Sequence, residues 1–579
     1  MKKLFLGLGL AVALAACKKQ DSFLEPRTST LTEDIVFSDS VRTVAFLTRI
    51  YGDIGYSFNK SRWANGGNIE QATDDAEYTF TGSGNPSVQL YSGTYTPLQL
   101  PSTDFWQTPW DNIRRVNLLL SKLPDTPLSK DTQTQMVAQA RFLRAWYYFL
   151  LLEHFGGMPL IGDKVFDLND DINLPRSSFA DCVTYISQEL DAVAQVVPTQ
   201  SASAPSTVDY GRITPGVCLA LKSRLLLYAA SPLFNGGATT TDPSLAALVS
   251  YPTYSASRWQ DAANAALAVM NTNLYSLVVD NTTAPGYGFV SVFQQRVNPE
   301  YIYFVNRPPN KDFEGAFLPT TRGGSGGTLP SQNLVDAYLM KNGKRITDAN
   351  SGYDPLNPYL NREPRFYNSI IYNGANFFLV SASAQRPVYT YDGAASDGYQ
   401  ALTSSTGYYF RKMLDPTIAA NSATNTPRGW PLIRYAEILL NYAEAINELG
   451  QPETAVNTLK LLRGRAGVDA GTDGRFGIPV GVSTSQLRDI IQNERRIELA
   501  LEDHRWNDIR RWKIAVTVNN GFNRRMQVIN RGTAAAPGPY TYNITNSLRQ
   551  HVFRPEMYLM PIPDIEIRRV PLFRQNPGW

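Results

Sequence analysis

The residues of this chain that could do chemistry are mainly carboxylates. Asp74 and Asp75 are adjacent, and Glu437 precedes Glu444 by seven residues. Two carboxylates facing each other across a cleft are the catalytic pair of a glycoside hydrolase. Glu437 and Glu444 share one helical face, however, which favours pairing with Arg434 or with an arginine of another helix. We expect Asp74 and Asp75 in a polar loop, where they either accept hydrogen bonds from sugar hydroxyls or face water.

Other catalytic sets receive little support from the sequence. The three histidines, His154, His504 and His551, are not spaced as metal ligands, so no metal is assigned. Residues 323–327 match the G-x-S-x-G nucleophile pattern, but they lie in what we interpret as a flexible glycine-serine tract. The sequence therefore predicts a protein that is not an enzyme and that uses no cofactor.

A dense charged block runs from Glu494 to Trp512. Within it Arg495, Glu498 and Glu502 follow at i, i+3 and i+7, and similar spacing recurs toward Trp512. We interpret the block as part of one long helix, with interhelical ion pairs and arginine-aromatic packing.

The N-terminus has the pattern of an export signal. Lys2 and Lys3 precede an apolar run at 4–13, and two alanines stand before Cys17. This predicts a signal peptide at 1–16, a lipidated Cys17 and a polar tether at 17–30, with one body at 31–579. The alternative is an ordinary secretory signal with a chance cysteine.

Composition excludes several classes of protein. The 54 Lys and Arg nearly balance 51 Asp and Glu, which leaves no electrostatic footprint for nucleic acid. Past the signal, no apolar stretch is long enough to span a membrane. Cys182 and Cys218 are the remaining cysteines, so the chain has no disulfide framework. Buried thiols are favoured over a bridge between them, and the sequence leaves both open.

Apolar periodicity predicts a mainly α fold with brief strands such as Tyr301 to Val305. The predicted helices are 39–52, 108–123, 131–154, 178–196, 214–230, 258–271, 432–449, 453–466 and 484–515. Blocks at about 55–107, 275–330 and 350–430 are loop-like and carry many aromatic residues. Function in such a scaffold usually resides in the loops.

One predicted helix pair fits a repeat pattern. Helices 432–449 and 453–466, joined by Gly450, approach the 34-residue period of tetratricopeptide repeats, with Ala443 and Ala455 at the small positions. We therefore expect a tetratricopeptide-like helical-repeat scaffold (α/α superhelix) with a loop-rich ligand-binding half. Any two antiparallel helices joined by a Gly/Pro turn would give most of the same features.

Several motifs along the chain resemble those of the SusD/RagB family of outer-membrane nutrient-binding lipoproteins. They are RYAEILLNYAEA at 434–445, the charged block at 494–512, YLMPIP at 558–563, QNPGW at 575–579, ARFLRAWYY at 140–148, FGGMPL at 155–160 and NREPRF at 361–366. The resemblance implies an N-terminal helical part at about 31–330 with ligand loops, and a C-terminal RagB/SusD part at about 331–579.

The resemblance also implies a role. Such proteins sit at the cell surface as lids on a SusC-like TonB-dependent outer-membrane transporter and bind a glycan, an oligosaccharide or sometimes a peptide without altering a bond. A structural calcium ion is compatible with the Asp- and Asn-rich loops, but no EF-hand pattern is present and no ligands are assigned. The alternatives are a surface adhesin or structural lid that binds only protein or peptide and, more remotely, a surface glycoside hydrolase.

Ligand contacts are expected in the loops. Sugar rings offer apolar C–H faces and peripheral hydroxyls, so a site needs aromatic platforms flanked by hydrogen-bonding side chains. By their approximate correspondence to the family's ligand loops, the candidates are Trp63, Asp74, Tyr91, Tyr95, Tyr287, Phe313 and Arg322.

Overall fold

The chain folds as a mainly helical protein, as predicted. The structure is a computed structural model of the chain. It describes residues 32–55, 67–79, 84–202, 209–378, 385–393, 397, 406–415 and 426–579. The lipidation candidate Cys17 and the ligand candidate Trp63 lie outside these ranges. None of the helices in the described part of the chain combines the length and apolar character that crossing a membrane requires.

The main helices are Ser40–Gly52, Gln107–Lys122, Lys130–Phe155, Phe179–Ala194, Pro215–Ala230, Ser257–Asn271, Tyr435–Glu448, Pro452–Arg465 and Thr484–Glu498. Shorter helices are Glu33–Phe37, Pro86–Ser92, Pro243–Val249, Tyr287–Gln294, Asp312–Phe317, Gln332–Ala337, Pro364–Ser369, Arg505–Arg511, Ala515–Val518 and Asp564–Arg569. Turns of 3-10 helix occur at Ile69–Ala72, Leu123–Asp125, Thr320–Arg322 and Pro555–Tyr558.

Local sequence explains where the longest helix begins and ends. Lys130–Phe155 starts after Ser129, whose hydroxyl accepts a hydrogen bond from the Thr132 amide. It stops at Gly156, which has φ of +81° and sits so close to the Leu248 carbonyl that a side chain would clash. The other long helices agree with prediction to within a few residues, except the last.

The predicted helix at 484–515 is wrong, because the helix ends at Glu498 and a new one starts at Arg505. Between them Leu501 adopts a positive φ of 66°. The Glu498 carbonyl, which would otherwise accept a helical N–H, accepts instead from Arg434 Nη2 at 2.8 Å and Lys412 Nζ at 2.9 Å. Distant side chains therefore end this helix, and its local pattern gave no sign of them.

The helix pair that fits the repeat pattern is present as Tyr435–Glu448 and Pro452–Arg465. Gly450 turns the chain with φ of +76°, and Pro452 stands in the first turn of the second helix. Ala443 and Ala455 are fully buried, which lets the helices approach closely. This pair contributes to a first core of Leu, Ile, Val, Ala and aromatic side chains shared by the long helices.

Short antiparallel strand pairs make up the remainder of the regular structure. The longer pairs are Tyr301–Asn310 with Thr426–Arg434, and Gly521–Asn530 with Tyr540–His551. The shorter pairs are Ala76–Tyr78 with Thr328–Pro330, Ile370–Ile371 with Tyr409–Phe410, and Asn376–Phe378 with Gln385–Pro387. In the first pair Tyr301 lies opposite Arg434, so the strand predicted at 301–305 is confirmed and its partner comes from a distant part of the chain.

A second core, here called the aromatic core, lies beneath the described parts of the loop-like blocks. It contains buried rings such as Phe317, Tyr359, Phe366, Tyr408 and Trp430. Residues 323–327, expected to be flexible, are packed against it: their amides donate to backbone carbonyls of the preceding helix and turn. The glycines fit because a side chain at Gly324 would meet the Leu318 carbonyl at 2.1 Å.

Candidate functional site

The paired carboxylates Glu437 and Glu444 are internal counter-ions. Arg224 donates to both oxygens of Glu437 at 2.8 and 2.6 Å. Arg511 donates to those of Glu444 at 2.6 and 2.7 Å, and the Trp512 indole donates at 2.8 Å. Both carboxylates are buried. The prediction that arginines of other helices neutralise them is confirmed, and their geometry supports packing rather than acid–base chemistry.

Asp74 and Asp75 lie in the turn between Ile69–Ala72 and Ala76–Tyr78, but the expectation that they accept from sugar hydroxyls or face water is wrong. They are only 3% and 1% exposed. Arg505 donates to both oxygens of Asp74 at 2.8 Å, and Arg496 donates to Asp75 at 2.6 Å. Burial by itself would raise the pKa of Asp74, but the two guanidinium groups outweigh it and lower that pKa to about 2. Asp74 is therefore a fixed anion that ties the N-terminal segment to the charged block.

Two of the candidate tyrosines pack against the C-terminal segment. Tyr91 is partly exposed, and its ring centre lies 5.1 Å from that of His551. Tyr95 is 1% exposed, with its ring centre 5.5 Å from that of Trp579. Of these two, Tyr91 presents ring surface to solvent.

Two further aromatic candidates belong to the aromatic core or border it. Phe313 is 5% exposed, and its ring stacks on Phe317 at 5.7 Å and contacts Trp430 at 5.6 Å. Tyr287 is partly exposed at the start of a short helix, beside a small cavity that Lys412 also lines. Tyr287 is accordingly the more accessible of the two.

Arg322 is a structural residue in this fold. It is 2% exposed and donates to the Phe377 carbonyl at 2.8 Å and the Pro387 carbonyl at 2.7 Å. Its remaining N–H groups donate to Asp397 at 3.0 Å, and together with a hydrogen bond from Thr321 they outweigh burial and lower the pKa of that carboxyl. The described candidates thus have separate neighbours.

The structure instead reveals a groove of about 840 Å³ that is not among the predicted sites. Its walls are residues 97–114, which lead into the helix Gln107–Lys122, residues 159–174, and residues 563–573 with their short C-terminal helix. The Asp564 amide donates to the Pro97 carbonyl at 2.8 Å and so joins the first wall to the third.

Aromatic rings line this groove. Trp106 is the N-cap residue of the helix Gln107–Lys122 and Trp110 lies in its first turn, with the two ring centres 6.0 Å apart. Trp106 packs edge-on against Phe155 at 5.0 Å, and Trp110 packs edge-on against Tyr148 at 6.1 Å. The rings are therefore held in fixed positions by the first core.

The polar rim of the groove carries hydrogen-bonding groups from all three walls. Arg114 donates to the Phe166 carbonyl at 2.5 Å, and the Lys164 ammonium lies 4.5 Å from the Phe166 ring centre. Gln107 and Asp111 are exposed on the first turns of their helix. An arrangement of fixed rings with amide, carboxylate and cationic groups is able to stack on and hydrogen-bond a ligand.

One pattern in the sequence could have predicted part of this groove. The i, i+4 spacing of Trp106 and Trp110 places two large rings on one face at a helix start, which is a detectable pattern. Phe166 and the C-terminal wall offered no such signal, because only the tertiary fold brings residues 159–174 and 563–573 beside that helix.

The long paired helices define a protein of helical-repeat type. The comparisons give its family. A family model described as "SusD family" matches residues 291–579, and one described as "Starch-binding associating with outer membrane" matches residues 27–226. The chain belongs to the SusD family, so the resemblance inferred from the motifs is confirmed.

Similar proteins match this chain over most of its length. SusD-like protein P38 of Formosa agariphila is 25% identical over 451 residues, which are 76% of this chain and 78% of the relative. A SusD-like carbohydrate-binding protein of Bacteroides fragilis is 25% identical with a TM-score of 0.71, and the match covers 93% of this chain and 100% of that one. Surface glycan-binding protein A of Bacteroides fluxus has the same fold, at 18% identity and a TM-score of 0.58 over 94% and 100% of the two chains.

Proposed function

We propose that this protein captures a glycan or oligosaccharide at the outer membrane and delivers it to a SusC-like TonB-dependent transporter without breaking a bond. The observation that carries the proposal is the family match over 27–226 and 291–579, since one of its two models is described as starch-binding and outer-membrane-associated. The Bacteroides fragilis relative, whose name describes carbohydrate binding, supports the ligand class.

The geometry of three candidate carboxylates supports binding without catalysis. Glu437, Glu444 and Asp74 each have both oxygens engaged by arginine N–H groups. A glycoside hydrolase needs one carboxyl free to donate a proton and another facing a water or the sugar. These three are occupied as counter-ions instead.

Among the described candidates for ligand contact, Tyr91 and Tyr287 remain our proposed contacts because these two residues are partly exposed. Asp74, Tyr95, Phe313 and Arg322 are buried, so their expected contribution is to hold the walls behind such a site. Trp63, which lies outside the described residues, stays a proposed contact on sequence grounds.

The lipid anchor and surface orientation are part of the same proposal. Cys17 would carry the acyl chains, and residues 17–30 would connect them to the folded body. A Cys17→Ala variant expressed in the native host is expected to leave the membrane fraction. Retention of that variant in the membrane would contradict lipid anchoring at this residue.

Ligand capture is tested by calorimetry. The soluble form lacking residues 1–17 is titrated with a panel of polysaccharides and oligosaccharides, and release of reducing ends is followed in the same samples. We expect binding with no released ends. Release of reducing ends would overturn the non-catalytic proposal. If none of the glycans in the panel binds, the glycan proposal is overturned in favour of a peptide or protein ligand.

Delivery is tested separately. Affinity purification of the tagged full chain from detergent-solubilised outer membranes is expected to recover a TonB-dependent barrel, identified by mass spectrometry. Deletion of that barrel should abolish growth on the bound glycan while leaving glycan binding by the purified protein unchanged. Unchanged growth on the glycan after deletion of the barrel would contradict delivery of the glycan to that transporter.

A further inference from the structure

We propose that the groove between residues 97–114, 159–174 and 563–573 is a binding site for a neutral oligosaccharide, distinct from the loop positions named above. The inference rests on the proposed function, which supplies the class of ligand, and it adds a site for that ligand. None of the six described loop candidates lines the groove.

The size of the groove suits a short oligosaccharide. Its volume of about 840 Å³ falls in the range of roughly 300–1,000 Å³ typical of small-molecule sites. It is bounded on three sides, and the hydrogen bond from the Asp564 amide to the Pro97 carbonyl fixes two of those sides relative to each other.

The apolar lining suits sugar C–H faces. Trp106, Trp110 and Phe166 come from two walls, and the two indole rings are braced from behind by Phe155 and Tyr148. A ring held in place loses little conformational freedom when a ligand stacks on it, so more of the contact energy appears as affinity.

The charges on the groove favour a neutral ligand over an anionic one. Three lining residues are acidic, Asp111, Asp564 and Glu566, and three are basic, Arg114, Lys164 and Arg569. Several are paired within the walls: Asp564 with Arg568 at 2.7 Å, Glu566 with Arg569 at 3.7 Å and Lys164 with Asp170 at 3.5 Å. A balanced rim offers acceptors and donors to hydroxyl groups and no net field for uronate or sulfate groups.

The groove entrance also exposes aliphatic side chains. Leu98 is 79% and Ile565 is 60% exposed, and they belong to the first and third walls, next to the hydrogen bond that joins these walls. Covering such side chains stabilises a complex by about 25 cal/mol per Å² of apolar area, whether a sugar face or a protein loop covers them. The oligosaccharide is the occupant we commit to, because of the polar rim and the family's carbohydrate-binding relative, and a protein occupant is an outcome of the test.

The test uses the full chain in detergent and the two variants Phe166→Ala and Asp111→Ala. Maltoheptaose, cellohexaose and mannohexaose are the neutral probes, and oligogalacturonate is the charged comparison. We expect each variant to weaken binding of the neutral ligand by at least about tenfold, which corresponds to about 1.4 kcal/mol. Amide hydrogen exchange should slow on binding in peptides that cover 97–114 and 159–174.

Two controls separate the groove from the rest of the molecule. Phe522→Ala removes a 47% exposed ring on the ribbon Gly521–Asn530 and should leave the dissociation constant unchanged. Tyr287→Ala probes the loop candidate independently.

The outcomes distinguish failure of the groove from failure of the function. Binding by the wild type that Phe166→Ala and Asp111→Ala leave intact would overturn the groove and keep the proposed function, and the apolar rim would then fit a protein partner. Absence of binding to any neutral or charged glycan would overturn both. Binding of oligogalacturonate alone, lost in the groove variants, would overturn the neutral ligand class.

Discussion

The two cores of this protein are stabilised by different means. In the first core, long helices satisfy their own backbone hydrogen bonds, so apolar side chains such as Leu440 and Leu143 only need to pack. In the aromatic core the helices and strands are short, and carbonyl groups at their ends, such as those that follow the helix start at Gln332, are left without helical or strand partners. Buried arginines supply the missing donors: Arg362 donates to the carbonyls of Val335 at 2.6 Å and Tyr338 at 2.8 Å.

The same comparison explains the ion pairs at the junction of the cores. Glu498 ends a helix and accepts from Arg434 at 2.8 Å and Arg365 at 2.9 Å, while Arg465 contacts it closely. The irregular segments fold stably here because a guanidinium group can donate to carbonyl and carboxylate oxygens at the same time. Periodic helices need no such device, so breaking an ion pair and breaking an apolar contact should affect the two regions differently.

The largest expected effect is at this junction. Glu498→Gln leaves Arg434 and Arg465 short of a buried counter-charge, and we expect the free energy of unfolding to fall by about 3–5 kcal/mol. Urea denaturation measures it. Glu453→Gln is the matched control, because Glu453 is 59% exposed in its pair with Arg475 and its loss should have a much smaller effect on the free energy of unfolding. Equal costs for the two variants would refute the structural role of the junction.

The helical region should respond to lost packing. Leu440 is fully buried in the helix Tyr435–Glu448, and Leu440→Ala should lower the free energy of unfolding by about 3 kcal/mol through lost burial and a residual cavity. Leu461→Ala, at a 54% exposed position, is the control and should change it by less than about 0.5 kcal/mol. A small effect at Leu440 would mean that this core repacks freely.

Glu153 sharpens the comparison because it is a buried carboxylate of the helical region with which no arginine of the described ranges forms a salt bridge. Its described hydrogen bond is from the Asn507 amide at 3.3 Å, and burial raises its pKa to about 7, against the opposing influence of Arg224 and Arg510. At Glu498 the neighbouring arginines outweigh burial and lower the pKa instead. The two carboxylates therefore give stability opposite dependences on pH.

A carboxyl whose pKa is raised by folding contributes stability that is complete below about pH 4.5 and is lost as pH rises through about 7. Glu153→Gln removes this loss. Relative to the wild type, the variant should therefore gain about 3 kcal/mol in free energy of unfolding between pH 4 and pH 8, because folding raises the pKa of Glu153 to about 7. Denaturant melts of both proteins at each pH measure the difference, and a pH-independent difference would contradict it.

The smallest expected effect concerns the arginines of the aromatic core. Arg362→Lys keeps the charge but cannot reach all of the carbonyls that the guanidinium bridges, and it should cost about 2 kcal/mol. Arg488→Lys changes a partly exposed pair with Glu448 and should cost less than about 0.5 kcal/mol. Calorimetric melting temperatures compare the two, and a harmless Arg362→Lys would show that charge alone suffices.

The sequence predicted the helices well and the candidate site poorly, for one reason. Helices such as Lys130–Phe155 are specified by contacts a few residues apart, so period and capping reveal them. The burial of Asp74 depends on Arg505, more than 400 residues away in the chain, and no local pattern shows it. The same holds for the end of the helix at Glu498, which Arg434 and Lys412 determine.

The sequence by itself determined that the chain is mainly helical, that its paired glutamates have arginine partners and, through its motifs, that it belongs to the SusD family. Tertiary structure alone decided which loop residues are buried and that residues 563–573 close a groove against Trp106 and Trp110. The physical reason is range: periodicity and motifs are properties of neighbours along the chain, whereas burial, ion pairing and cavities depend on segments that meet only when the chain has folded.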